Sequence, residues 1–156
     1  MKKLTSILLI AVMLISLFSF SSCGEDEPQV TEPDYEVVNL TKYNYSDYLV
    51  FNYYSSDQDS DYIDGKYNLS GTVHAECSSA NESYRFEKVT IELTTVVMAS
   101  PNLASLRIKL NLNSYGEAHG SDSYFIADSN NKQPSNNGNW NFKIKSISGT
   151  VKVPAE

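Results

Sequence analysis

The sequence predicts an all-β fold, a single antiparallel β-sandwich of about seven strands, with a small closed β-barrel as the alternative. Three observations carry this. Beyond residue 34 apolar side chains recur with period two, as in strands with one buried face. Clusters of Gly, Pro, Asn, Asp and Ser interrupt that alternation at short intervals. No stretch of the same region shows the 3.6-residue period of an amphipathic helix.

The chain opens on a leader. Lys2 and Lys3 precede an apolar run over residues 4–20, broken by Thr5, Ser6, Ser16 and Ser19, and Ser21 and Ser22 lead into Cys23. The run barely reaches the roughly 18–20 residues needed to span a bilayer, so a cleaved signal fits better than a transmembrane helix. Ser19 and Ser21 also suit an ordinary signal peptidase, against which the position of Cys23 argues. The stretch Phe20-Ser21-Ser22-Cys23 resembles the lipobox of bacterial lipoproteins, with Phe20 where Leu is usual. That resemblance implies cleavage before Cys23 and lipidation of its thiol. The next residues, Gly24, Glu25, Asp26, Glu27 and Pro28, resemble the acidic export tag that sends lipoproteins of certain Gram-negative gut-type bacteria to the outer face of the outer membrane. The implied partner is the membrane itself, held through acyl chains on Cys23 that contribute about 0.8 kcal/mol per buried CH₂.

This divides the 156 residues into a signal peptide over 1–22, a lipidated cysteine and acidic tether over 23–34, and one β domain over 35–156. The tether holds Pro28 and Pro33, has no apolar periodicity and reads as flexible. The formal net charge of −7 becomes −9 once Lys2 and Lys3 leave with the leader. An acidic surface without a Lys/Arg cluster disfavours nucleic acid. Only Cys23 and Cys77 are present. With Cys23 acylated, Cys77 is an unpaired, buried, small apolar residue; a Cys23–Cys77 disulfide is the rival if the lipobox reading fails.

Within the β domain a first strand is expected over 36–40. There follows a Leu40-Thr41-x-x-Asn44-x-x-x-Tyr48 spacing that resembles the opening of some small extracytoplasmic β-sandwich modules of bacterial lipoproteins. A second strand over 48–54 is apolar or aromatic on both faces except at Asn52. Residues 55–65 read as an acidic loop. The strand over 66–77 puts Tyr67, Leu69, Gly71, Val73, Ala75 and Cys77 on the core face and His74 outward. After a turn at 78–83, a long strand over 84–97 changes phase near Glu87 and near Val96, which predicts a bulge at one or both places. Pro101 marks a turn, and Leu106, Ile108, Leu110 and Leu112 then alternate with polar residues as a half-buried strand. A turn over 116–120, a short strand over 123–127, a polar loop over 128–139 and a last strand over 140–153, slipping phase at Ser146, complete the domain. Seven short strands of this kind suggest an immunoglobulin-like or fibronectin-like architecture. The sequences around Gly71 and Gly149 echo each other, which suggests that each leaves room for a large side chain.

Candidate chemistry is thin. Asp57, Asp59, Asp61 and Asp64 crowd the acidic stretch beside Gly65, but Tyr62 stands where an EF-hand needs its glycine and Asn68 where it needs its bidentate Glu. They form a weak Ca²⁺ candidate that a solvated loop explains as well, and no metal is assigned. Glu117 and His119, bracketed by Gly116 and Gly120, form an acid/base pair only if a hairpin turn aims them together. With two histidines, no phosphate loop and no nucleophile motif, an enzyme and a cofactor are not expected. Trp140 shares a face with Phe142 and belongs in the core.

Eleven tyrosines are the richer signal. Tyr43, Tyr45, Tyr53, Tyr54, Tyr62 and Tyr115 lie in or near expected turns, where aromatic faces stack on sugars or anchor proteins. The expectation is a non-enzymatic, lipid-anchored binding module of the outer surface, for a glycan or another small ligand. The alternative is a protein-interaction or structural subunit of a surface complex. A glycan module predicts exposed tyrosines gathered on one face or one end. A protein-interaction module predicts an open, uncharged sheet edge or an exposed apolar patch.

Overall fold

A computed structural model describes residues 33–135 and 140–155. The leader, Cys23 and the tether up to residue 32 lie outside the described residues. Seven strands follow in order: β1 (Tyr35–Asn39), β2 (Leu49–Ile63), β3 (Lys66–Ser79), β4 (Arg85–Ala99), β5 (Asn102–Asn111), β6 (Ala118–Ser129) and β7 (Lys143–Pro154). They form two antiparallel sheets, β1-β7-β4-β5 and β2-β3-β6, packed as a sandwich. The expected sandwich is therefore present and the barrel is not, since the described strands do not close into one sheet. Sheets of four and three strands match the immunoglobulin constant-type count, while β1 lies beside the last strand rather than beside the second.

The Leu40/Thr41/Asn44/Tyr48 spacing has a physical basis in the corner between the sheets. The Asn44 side chain accepts from Thr41 N at 2.7 Å and from Thr41 Oγ1 at 2.9 Å, and it donates to Asn39 O at 3.0 Å. Leu40 is buried, and Tyr48 follows a single 3-10 turn (Tyr45–Asp47) and packs beside Tyr84. The side chain of Asn44 thus supplies the hydrogen bonds that an abrupt corner would otherwise leave unmade.

The core lies between the sheets. The predicted alternation holds in β3, where Leu69, Val73, Ala75 and Cys77 are buried, and in β5, where Leu106, Ile108 and Leu110 are. Trp140 and Tyr124 close one end, and Phe86, Val89 and Val151 fill the other. Cys77 is free and buried, and burial pushes its thiol up to about 12. At Gly71 a Cβ would stand 2.8 Å from the hydroxyl of Tyr124, which lies across the glycine from the neighbouring strand. Gly149 has a different cause: its φ is +111° and a Cβ there would meet the Val89 backbone at 2.6 Å.

Several boundaries differ from the sequence reading. Residues 55–63 are not a loop but the second half of β2, paired with β3 as far as Ile63↔Lys66. Asp64 and Gly65, at φ 50° and 82°, make the two-residue hairpin turn that favours Asp-Gly. One extra β2 residue, beside Asp57 at φ 51°, forms a bulge between Ser56 and Asp59. In β4 the bulge expected near Glu87 is present, with Lys88 at φ 51°. The phase change expected near Val96 is absent. Thr95 instead holds a core position in phase, because its hydroxyl donates to Asn141 O at 3.0 Å. The slip at Ser146 is a bulge of β7 at Lys145, opposite Glu92 and Leu93. The turn before β6 centres on Gly116 rather than spanning 116–120, and Gly120 lies inside β6, where a Cβ would meet Ile108 of β5 at 2.7 Å. Trp140 and Phe142 precede β7 and pack inward.

Candidate functional site

The six tyrosines do not converge. Tyr53 and Tyr54 are successive strand residues and so face opposite sides of the sheet. Tyr53 points inward, between Phe51 and Phe142 at centroid distances of 6.1 and 4.7 Å, and burial lifts its phenol to about 12. Tyr45 meets Phe51 edge-on. Tyr43 lies under Lys42 and Tyr115 under Arg85, while Tyr62 packs on Tyr67 beside the Asp64–Gly65 turn. A gathered tyrosine platform is thus corrected to scattered positions, because the extended β2 carries Tyr62 away from the others.

The aspartates are likewise strung along a strand. Asp57, Asp59 and Asp61 belong to β2, where alternate residues are about 6.6 Å apart. Asp57 accepts from Ser56 and Asp59 from the backbone of Ser60. Among the described residues no group of three or more His, Cys, Asp or Glu side chains comes together. Glu117 accepts from Asn113 Nδ2 at 3.0 Å in its turn, and His119 of β6 meets His74 rather than Glu117, so the two line one groove without pairing as acid and base.

What the structure does assemble lies on the outer face of β2-β3-β6. Glu76 of β3 is opposite Asn52 of β2 and His119 of β6. Its carboxylate accepts from Tyr54 Oη at 3.2 Å and from Asn52 Nδ2 at 3.4 Å. The Tyr54 ring lies parallel to His74, with centroids 4.7 Å apart and 9° between planes. Burial, followed by the Glu76 hydrogen bond and charge, raises the Tyr54 phenol above its ordinary value. His74 Nδ1 stands 3.2 Å from His119 Nε2. With centroids 5.3 Å apart and 27° between planes, the two imidazoles meet edge to edge. Beside them a shallow groove of about 460 Å³ is lined by Val50, Asn52, Glu76, Ser78, Glu117 and His119.

Ser56 Oγ lies 2.7 Å from His74 Nε2, so Ser56, His74 and His119 trace a nucleophile, base and orienter line. The protons run the other way. The Ser56 hydroxyl donates to the Asp57 carboxylate at 2.9 Å, the stronger acceptor, which leaves Ser56 accepting from His74 Nε2–H. His74 therefore carries its lone pair on Nδ1 and has none to spend on the Ser56 proton.

The same sheet has an unusual edge. Among the described residues β2 pairs only with β3, so its other side meets no strand. From Leu49 to Ser56 this edge has no charged residue and no bulge, and Val50 and Tyr54 are 54% and 39% exposed. On the other sheet, by contrast, the outer carboxylate of Glu92 meets Lys145 at 3.2 Å and Arg107 at 3.0 Å. The Lys145 hydrogen bond, then the charges of both cations, hold it below the usual carboxylate range. Towards the β4–β5 hairpin, Val96, Met98 and Leu103 form an exposed apolar patch.

Comparison with protein-family models, with curated proteins and with solved structures finds no match for this chain.

Proposed function

We propose that the chain is a non-enzymatic, lipid-anchored protein-interaction module of the outer-membrane surface, and that it takes an extended segment of a partner protein along β2 from Leu49 to Ser56. One observation carries this: eight uncharged edge residues without a bulge, beside an outer face whose groove holds the carboxylates of Glu76 and Glu117 and no cation among the described residues. Native sheets guard such edges with charges, bulges or coverage, because free N–H and C=O groups template strand addition. The edge and the Val96/Met98/Leu103 patch are the two features that distinguish an interaction module from a glycan platform. A second reading, a neutral sugar in the groove beside Asn52, Glu76 and His119, is favoured by the hydrogen-bonding groups gathered there.

The address rests on the Lys2 to Cys23 leader and the acidic residues after it. Among the described residues no helix is long and apolar enough to cross a membrane. Cys23→Ala is expected to abolish acyl labelling and release the chain from the membrane fraction; unchanged retention refutes the anchor. For binding, the double variant Val50→Lys, Asn52→Lys is expected to lose at least tenfold in partner affinity on intact cells. Its stability should change by only about 0.5 kcal/mol, since both side chains are exposed. An Asp61→Lys control should bind as the parent does. Equal binding by all three contradicts the edge reading, and selective capture of a saccharide by the parent moves the assignment to the groove.

A further inference from the structure

The histidine pair does something that neither the edge nor the groove requires. β3 and β6 bring both histidines of the chain together, 45 residues apart in sequence, on an exposed sheet face. We infer that His74 Nδ1 and His119 Nε2 form a two-imidazole chelate for a divalent transition metal ion, Cu²⁺ above Ni²⁺ and Zn²⁺, with water completing the coordination. This stands whether or not β2 receives a partner.

Two features carry the inference. The first is spacing: with bonds of about 2.05 Å, two imidazole nitrogens stand about 2.9 Å apart at adjacent positions of a tetragonal ion and about 3.3 Å apart on a tetrahedral one, and here they are 3.2 Å apart, within reach of both. The second is orientation. Metal-bound histidines usually donate their other ring N–H to an acceptor that fixes tautomer and ring position. His74 Nε2 has that partner in Ser56, which is itself held by Asp57, so the Nδ1 lone pair is directed at His119. In the metal-free pair that lone pair accepts from His119 Nε2–H. Binding requires His119 to move its proton to Nδ1, so that both facing nitrogens turn lone pairs to the ion. The Tyr54 ring, stacked on His74, restrains rotation on one side. Nitrogen donors favour transition metals over Ca²⁺ and Mg²⁺, and with only two protein donors the affinity order follows Cu²⁺ over Ni²⁺ and Zn²⁺.

The test uses full-length protein purified in detergent without a histidine tag. Titration with CuCl₂ should show one saturable site per chain, and the Cu²⁺ electron paramagnetic resonance spectrum should report two equivalent nitrogens. His74→Ala and His119→Ala should each remove that site, and Ser56→Ala should weaken it about tenfold by freeing the His74 ring. CaCl₂ should give no saturable signal. If His74→Ala fails to fold, His119→Ala, altered only at an exposed position, still decides. Retention of the site in His119→Ala, a spectrum with one nitrogen or none, or no saturable Cu²⁺ binding by the parent overturns the inference.

Discussion

The two halves of β2 belong to one strand, pair with one neighbour and face solvent along one edge, yet they are built to opposite rules. From Asp57 to Ile63 the strand begins with a bulge at a positive-φ aspartate and carries three carboxylates. Each of these features opposes the addition of another strand, the bulge by twisting the edge away and the charges by desolvation cost. From Leu49 to Ser56 neither feature occurs, although this half is the more firmly anchored, with Leu49, Phe51 and Tyr53 turned into the core. Edge protection is therefore local, and the stretch left without it is where a partner segment fits. The outer faces of the sheets repeat the lesson: Glu92, Arg107 and Lys145 satisfy one another on one, while the other presents hydroxyls, an amide and imidazoles around Glu76, with the carboxylates of Asp57 and Glu117 beside them.

If the contrast is causal, erasing it should change behaviour. Deleting Asp57 while changing Asp59→Thr and Asp61→Thr converts β2 into one long, flat, uncharged edge. The largest effect expected is self-association: sedimentation velocity should show oligomers that the parent lacks at the same concentration. An unchanged sedimentation profile would mean that bulge and charges do not guard the edge.

A smaller effect comes from what lies beneath the unguarded half. Cys77 and Tyr53 both face the core there, and both titrate near 12 rather than at their ordinary 9 and 10. Burial favours their neutral forms, so the unfolded chain ionises first. The stability they contribute is complete below about pH 9 and is lost as pH rises towards 12. Urea midpoints should fall across that window, and Cys77→Ala should flatten the fall between pH 9 and 10 while leaving the Tyr53 part. A midpoint independent of pH up to 11 would contradict the burial of both groups.

Much of the fold was legible because side-chain period survives wherever burial is one-sided. Leu106, Ile108 and Leu110, the core face of β3, the bulge near Glu87 and the slip at Ser146 all follow from it. The distal half of β2 was hidden by composition: Ser and Asp dominate it, and pairing with β3 rather than burial holds it extended. The Asp64-Gly65 pair was the available signal, since that dipeptide favours a two-residue hairpin whose arms must both be strands. The outward direction of His74 was readable, but its meeting with His119 was not. That contact depends on Glu76↔His119 register and on β6 starting at Ala118, five residues before the expected strand at 123. The separation of Tyr62 from Tyr53 and Tyr54 was hidden for a related reason: the stretch between them, read as a loop, is strand.

The most direct test is site-specific photo-cross-linking on intact cells, with a photoreactive phenylalanine analogue placed singly at Asn52, Asp61 and Lys109. Strand addition along the proximal half predicts one discrete protein adduct from position 52 and none from 61 or 109, with the adduct lost when Val50→Lys is added. No adduct at 52, or the same adducts from all three positions, would contradict it.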